Sequence, residues 1–200
     1  DLLAIDQSFS YSLTQGSNNI FGTSNYVLNI MSSNNNVLSQ IYFLDSGGGS
    51  LSKEIQQNQI DWFVEENILK KPIIVFQHIP TDEFLYNSQD DNMCTGTKGE
   101  SGGIEGLDYD AGIVSALIQM ENVHFLAVGH QHGNDYCCKL SDTTMQVCFA
   151  RHSGYGGYGT WERGARVYEL KFHHADETSM TWKSWVRLES GEVINVVESD

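Results

Sequence analysis

Two short apolar runs that end in histidine constrain the fold of this chain more than any other feature. They are PIIVFQH, residues 72–78, and VHFLAVGHQH, residues 123–132. Each begins as a continuous stretch of mainly β-branched and aliphatic residues, which is typical of a strand buried on both faces of a parallel sheet. Because parallel strands are joined by crossover helices, the two runs predict an α/β protein.

The rest of the chain offers the helices and further strands that such a sheet needs. Residues 53–68 carry apolar side chains near helical spacing, and residues 111–120 form a second helix candidate with Asp110 as its N-cap. Between the first run and the helix candidate at 111–120, residues 81–109 read as an irregular connection of unusual length. Alternation and β-branched residues predict further strands at 25–30, 40–45, 145–150, 166–172 and 180–188. This order predicts α/β layering with a sheet-rich C-terminal part.

The histidines at the ends of the two runs form a candidate metal site. His78 ends the first run, and His130 and His132 end the second. Ligands gather beyond the carboxyl ends of strands in α/β sheets, so two adjacent strands would bring three imidazoles to one edge. Imidazole is a common ligand of zinc, iron and copper. We expect Gly129 and Gly133 to let the backbone turn tightly between them; the alternative is solvated histidines without a ligand.

Two neighbouring segments supply further candidates. Arg151, His152 and Tyr155 lie in a glycine-rich loop that could line a substrate rim, although such a loop with exposed aromatic residues need not be functional. Asn134 and Asp135 directly follow the histidine pair and could fix the orientation of a ligand ring by hydrogen bonds. Capping of the turn is an equally good reading of Asn134 and Asp135.

Charge and cysteine content limit the partners and the compartment. The 26 acidic and 11 basic residues give a net charge of −15, which argues against a nucleic acid or an anionic membrane surface as the main partner. Four cysteines, at 94, 137, 138 and 148, allow two disulfides in three pairings, and the Cys-Cys pair followed by Cys148 predicts a stapled hairpin. Disulfides would place the chain in a secreted or lumenal environment; four free thiols in a cytosolic protein are the alternative.

Five segments in order resemble one family. YFLDSGG, QIDWF, FQHIP, GHQHGNDYC and SGYGGYGTWERGARVYEL are similar to motifs of the calcineurin-like metallophosphoesterases, in the purple-acid-phosphatase-like branch, from about residue 25 to residue 194. The resemblance implies a metallophosphoesterase-type layered β-sandwich flanked by helices and a site with two transition-metal ions (Fe, Zn or Mn). It also implies hydrolysis of a small phosphate monoester. Carried over, His78 and His130 would bind one ion and His132 the other.

The same resemblance also marks what these residues lack. The family's first metal motifs, an aspartate-rich strand end, a GD motif with its bridging aspartate and a GNH motif, precede the matched region and do not occur here. We therefore expect residues 1–200 to be the C-terminal part of a single domain whose N-terminal half is its partner, and to be inactive alone. The rival hypothesis is a non-catalytic binding or assembly protein that uses this fold with an incomplete metal site.

Overall fold

The computed structural model describes residues 2–16, 19–87, 93–173 and 180–199. The helices are α1 (Leu2–Gln7), α2 (Gln57–Glu66), α3 (Asp82–Asn87) and α4 (Ile113–Gln119), and a 3-10 turn, Asn67–Leu69, follows α2. The strands are β1 (Tyr26–Met31), β2 (Val37–Phe43), β3 (Gly47–Gly48), β4 (Leu51–Ile55), β5 (Ile73–Phe76), β6 (Cys94–Thr95), β7 (Tyr109–Asp110), β8 (Val123–Val128), β9 (Cys137–Lys139), β10 (Gln146–Phe149), β11 (Gly164–Phe172), β12 (Met180–Leu188) and β13 (Val193–Glu198). No helix within these ranges is long and apolar enough to cross a membrane.

A seven-stranded mixed sheet organises the described residues. Its order is β1-β2-β5-β8-β10-β9-β6, and β2, β5, β8 and β10 run parallel to one another. In register, Phe43 pairs with Phe76 and Phe76 with Ala127, while Val128 pairs with Phe149. The segments that leave these four strands therefore start along one edge of the sheet, where the predicted site residues lie.

Helices cover one face of this sheet. The larger apolar core joins buried side chains of the sheet to α2 and α4, with Tyr42 of β2 lying 4.3 Å from Phe63 of α2 between ring centroids. α4 contributes Ile113, Val114 and Leu117 to the same core. This burial of the helices' apolar sides is the main force that holds them on the sheet.

A three-stranded antiparallel sheet, β11-β12-β13, covers the opposite face. Phe125 of β8 contacts Trp182 and Tyr168, with centroid distances of 4.4 Å and 5.0 Å. Phe76 of β5 also packs against Tyr168, at 5.6 Å. The fold is thus a layered α/β arrangement with two packed sheets flanked by helices, and the predicted fold class is confirmed.

Two disulfides staple the far end of the large sheet. Cys94 bonds to Cys138 and Cys137 bonds to Cys148, so the described cysteines are all paired. The second bond joins β9 to β10 and confirms the predicted stapled hairpin. Cys138 belongs to the helix-side core, whereas Cys137 and Cys148 belong to the core against the three-stranded sheet. Two disulfides fit an extracellular or lumenal environment.

Several predicted element bounds were wrong. The helix predicted at 53–68 begins only at Gln57, because residues 51–55 form β4, which pairs with β3 and with β7. The connection predicted as irregular at 81–109 contains α3, β6 and β7, while residues 88–92 lie outside the described part. The strands β9 and β13 were missed. The predicted N-cap Asp110 was also wrong, because the N-cap residue of α4 is Gly112; Asp110 Oδ1 nevertheless accepts the N–H groups of Gly112 and Ile113 just before the helix and at its first residue.

Candidate metal centre

Two histidines meet at the carboxyl edge of the parallel strands. His78 follows β5 and His130 follows the neighbouring β8, and His78 Nε2 lies 3.4 Å from His130 Nδ1. The ring centroids are 5.2 Å apart and the ring planes are nearly perpendicular. Gly129 makes this approach close, because its N–H donates to the His78 carbonyl at 3.0 Å and a Cβ there would lie 3.3 Å from His78 Nδ1.

The backbone turn that aims His130 is made by His130 itself. Its φ is +69°, in the left-handed region, whereas Gly129 and Gly133 are not among the positive-φ residues. The prediction that these two glycines turn the backbone was therefore wrong in mechanism. They provide room instead, since a Cβ at Gly133 would lie 2.6 Å from the Trp161 ring. A non-glycine residue in this region is uncommon and is strained by about 1 kcal/mol or more.

Burial favours the metal-binding form of His78. Desolvation lowers the pKa of His78, and the nearby His130 and His132 lower it further, so the neutral imidazole with a free lone pair is favoured. His130 Nε2 is buried without a hydrogen-bond partner among the described residues, and Glu105 Oε1 lies 3.6 Å from it. Glu105 also pairs with Lys53, which lowers the pKa of Glu105.

The spacing of the two nitrogens fits two ligands on one ion. Zinc–nitrogen bonds of about 2.0–2.1 Å at a tetrahedral angle put the nitrogens about 3.3–3.4 Å apart, and His78 Nε2 and His130 Nδ1 are 3.4 Å apart. Within the described ranges, however, no three His, Cys, Asp or Glu side chains form a group that could hold a metal. The described residues therefore offer a pair of ligands and not a complete coordination sphere.

The ring of His132 packs against the rings of Tyr158 and His152. It is parallel to Tyr158, with centroids 4.2 Å apart, and to His152, with centroids 5.4 Å apart. His132 Nδ1 is 3.0 Å from the carbonyl oxygen of Tyr158. A carbonyl oxygen can only accept, so this contact favours the tautomer protonated at Nδ1 and leaves the Nε2 lone pair available.

The residues predicted at the substrate rim have different surroundings. Arg151 Nη1 donates to Asp135 Oδ2 at 2.7 Å and Arg151 Nε donates to the carbonyl of Glu162. His152 is the residue parallel to His132, and its Nε2 is 2.9 Å from the Trp161 carbonyl. Tyr155 is 81% exposed and bonds to Glu189. Arg151 and His152 thus lie near the histidine cluster, whereas the contacts of Tyr155 run to the end of β12.

Asn134 and Asp135 connect the histidine loop to its neighbours. Asn134 Oδ1 accepts the backbone N–H of Gly99 at 3.1 Å, and Asn134 Nδ2 donates to Gln131. Asp135 is fully buried and accepts from Thr97 N and Asn195 Nδ2, both at 2.7 Å, as well as from Arg151. Asn134 and Asp135 therefore bond to backbone and side-chain groups that fix the loop.

Two residues whose contacts the sequence did not predict complete the surroundings of His132. Glu100 accepts the hydroxyl of Tyr158 and the backbone N–H of Gly133. Sequence spacing gave no reason to link Glu100 to Tyr158, which follows it by 58 residues. The one available signal was the glycine content around Tyr158, because Gly157, with a φ of +89°, is the residue whose Cβ would strike His132.

Comparison with known proteins identifies relatives. "Probable inactive purple acid phosphatase 14" of Arabidopsis thaliana is 30% identical over 141 residues, covering 66% of this chain and 34% of the relative. "Probable inactive purple acid phosphatase 29" of the same plant is 28% identical over 186 residues, covering 80% and 46%. "Phosphatase DCR2" of Saccharomyces cerevisiae is 29% identical over 203 residues, covering 88% and 34%. The chain is related to the purple acid phosphatases.

This relationship is with part of each relative. The chain spans between about a third and a half of the length of these purple-acid-phosphatase-like proteins. No family model matches the chain. The relatives themselves support a hydrolase lineage. The roles of His78, His130 and His132 as metal ligands stay a prediction.

Proposed function

We propose that residues 1–200 form the C-terminal part of a metal-dependent phosphoesterase domain that hydrolyses phosphate monoesters with two metal ions. The observation that carries the proposal is the 3.4 Å separation of His78 Nε2 and His130 Nδ1 at the carboxyl ends of adjacent parallel strands. His78 and His130 bind one ion, and His132 binds the second through Nε2. Bound Fe, Zn or Mn ions would supply Lewis-acid chemistry at the phosphate.

Contacts within the chain favour the forms of His78 and His132 that can bind a metal, even without an ion present. Burial lowers the pKa of His78 and so favours its neutral form, and the Tyr158 carbonyl favours the proton of His132 on Nδ1. Both effects leave a nitrogen lone pair free for a ligand bond. Asn134 and Asp135 hold the loop that carries His130 and His132, through bonds to Gly99 and Arg151.

The phosphate ester would enter beside the loop that follows β10. Arg151 and His152, which lie near the histidine cluster, form its rim in this proposal. Two hydrogen bonds hold the guanidinium of Arg151 in place: Nη1 donates to the Asp135 carboxylate, and Nε donates to the Glu162 carbonyl. An acidic chain can bind phosphate there, because metal ions supply the local positive charge.

The N-terminal half of the same domain is the proposed partner and the source of the remaining ligands. A row of aromatic rings supports a partner on the large sheet: Tyr26 stacks on Phe43 at 4.6 Å, and Phe43 stacks on Phe76 at 5.6 Å. Phe76 packs against Tyr168 of the small sheet, whereas Tyr26 on edge strand β1 and Phe43 on β2 are partly exposed. The partner would cover these two rings. Secretion or transport into a lumenal compartment accompanies this proposal, because the two disulfides form under oxidising conditions.

Metal analysis of the full-length protein tests this function. We expect His78→Ala and His130→Ala each to lower the bound metal and the hydrolysis of p-nitrophenyl phosphate by at least about tenfold. The matched control His173→Ala removes an exposed imidazole at the end of β11 and should change neither. Full metal content and full activity in His130→Ala would overturn the assignment.

A non-catalytic role is the second candidate, and the names of two relatives favour it. Both plant proteins described above are called probable inactive phosphatases. In that case the full-length protein would keep the fold and bind a partner without hydrolysing esters. Metal binding without any turnover of p-nitrophenyl phosphate, across the Fe, Zn and Mn forms, would favour this candidate over the enzyme.

A further inference from the structure

Tyr158 contacts His132 through its ring, its carbonyl and its hydroxyl. The two rings are parallel within 13°, the Tyr158 carbonyl oxygen meets His132 Nδ1, and the Tyr158 hydroxyl oxygen accepts the backbone N–H of His132 at 3.3 Å. We propose that Tyr158, anchored by Glu100, is the residue that positions His132 for metal binding. This inference rests on the proposed function, in which His132 is a ligand.

Glu100 ties the tyrosine to the histidine loop. The Tyr158 hydroxyl group lies 2.7 Å and 2.9 Å from the two carboxylate oxygens of Glu100. The same carboxylate accepts the backbone N–H of Gly133, the residue after His132, at 2.9 Å. Hydrogen bonds to a charged carboxylate are stronger than those between neutral groups, so Glu100 fixes Tyr158 and the histidine loop relative to each other.

The tyrosine determines which nitrogen of His132 faces outward. Because its carbonyl oxygen lies at Nδ1, the neutral ring carries its proton there. Nε2 has no hydrogen-bond partner within the described ranges, and it is not among the buried unpaired atoms. Ligand histidines in metalloproteins commonly donate their other ring N–H to a carbonyl or carboxylate in this way, which fixes tautomer and orientation.

The glycine before Tyr158 makes this close contact sterically feasible. A Cβ at Gly157 would lie 2.3 Å from His132 Cε1, and the φ of +89° is one that other residues rarely adopt. The loop backbone therefore lies directly against the imidazole. This contact gives the glycine-rich segment around Tyr158 a role at His132 beyond that of a flexible connection.

The test follows His132 in the full-length, metal-free protein with ¹⁵N-labelled histidine, at about pH 8, above the ordinary imidazole pKa. Long-range ¹H–¹⁵N spectra, assigned with His132→Gln, should show the Nδ1-protonated tautomer and ring protons shifted upfield by Tyr158. Tyr158→Leu keeps the backbone carbonyl but loses the ring and the hydroxyl bonds to Glu100 that hold this carbonyl at Nδ1. We therefore expect the upfield shift to decrease and the two tautomers to mix. Zn²⁺ affinity, measured with Zn²⁺ alone, should fall at least about tenfold.

Two further variants separate positioning from general stability. Tyr158→Phe keeps the ring and the carbonyl but loses the bond to Glu100, so it should retain the ring shift and part of the affinity. Tyr109→Leu removes an exposed tyrosine elsewhere and should leave His132 unchanged. Unchanged His132 spectra in Tyr158→Leu would overturn the inference. If the wild type binds no Zn²⁺ but Tyr158→Leu still alters the His132 ring, the proposed function fails while the positioning of His132 stands.

Discussion

The guanidinium of Arg151 and the carboxylate of Asp135 form a buried ion pair, with 2.7 Å between Nη1 and Oδ2. The side chain of Arg151 is 8% exposed and that of Asp135 is fully buried. Asp135 also accepts two further hydrogen bonds, from Thr97 and Asn195. The pair thus joins the loop after β10 to the loop that carries His130 and His132.

Removal of the cation from this pair should destabilise the fold. In Arg151→Met, the buried Asp135 would lose its ion-pair partner, and we expect the free energy of unfolding to fall by about 3 kcal/mol. Urea denaturation measures it. The matched control Arg163→Met breaks the more exposed pair with Glu189 and should cost under about 1 kcal/mol. Equal losses in the two variants would contradict a structural role for the Arg151 pair.

The left-handed backbone of His130 predicts an unusual order of substitutions. His130→Gly and His130→Ala both remove the imidazole, but glycine adopts a φ near +69° without the steric cost of Cβ. The glycine variant should therefore be more stable than the alanine variant by about 1 kcal/mol in urea denaturation. At His78, which is not among the positive-φ residues, the same pair of variants should show no such advantage for glycine. An alanine variant at position 130 that equals the glycine variant would refute the strained backbone.

Burial of His124 on β8 predicts loss of stability in mild acid. Desolvation lowers the pKa of His124 below its ordinary value of about 6.5, so the folded chain takes up the proton less readily than the unfolded chain. Stability from this residue is fully present above about pH 6.5 and falls as the pH drops through the lowered pKa. His124 lines a cavity together with the charged residues Lys139 and Glu198, which are not substituted in the test.

The variant His124→Gln isolates this effect. Between about pH 7.5 and pH 5 its free energy of unfolding should fall less than that of the wild type, because one half-buried imidazole no longer needs to be charged. The lowered pKa of His78 acts in the same direction in both proteins and cancels in the comparison. His173→Gln, at an exposed position, serves as the control. Parallel pH curves for wild type and His124→Gln would count against the prediction.

The two disulfides should contribute unequal stability. Cys94–Cys138 spans 44 residues and Cys137–Cys148 spans 11. On the chain-entropy estimate, replacement of the first pair by alanines should lower the free energy of unfolding by about 4 kcal/mol and replacement of the second by about 3 kcal/mol. Urea denaturation of the two double variants checks both values. A variant without the longer bond that is as stable as the wild type would show that the estimate fails here.

The central sheet could be predicted because its strands carry strong local signals. The run at 123–128 coincides with β8, since an apolar stretch buried on both faces has few alternatives. The strand order also led to the expectation that His78 and His130 would lie together, and they do. Lys53 and Glu54 were placed in a helix because their pairing with residues 108–110 depends on a distant segment.

The surroundings of His132 could not be predicted because they arise from loops. Glu100 and Tyr158 belong to segments without hydrophobic periodicity, and their contact is fixed by hydrogen bonds between parts of the chain that are far apart. The left-handed φ of His130 likewise leaves no trace in the residue pattern. Arg151 was predicted at a substrate rim, and its buried partner Asp135 was predicted to orient a ligand ring or to cap the turn, so the ion pair between them was missed.

Cys137 and Cys138 are adjacent on β9, yet their bonds close on opposite faces of the large sheet. A slip of β9 by one residue would exchange the two sulfur atoms between the faces. A slip in one direction would place Cys138 opposite Cys148, and a slip in the other direction would place Cys137 opposite Cys94. During oxidative folding, an error in strand alignment would therefore be converted into a wrong covalent isomer that can be separated and counted. The ratio of native to swapped disulfide isomers would measure how often β9 pairs in its native register during folding.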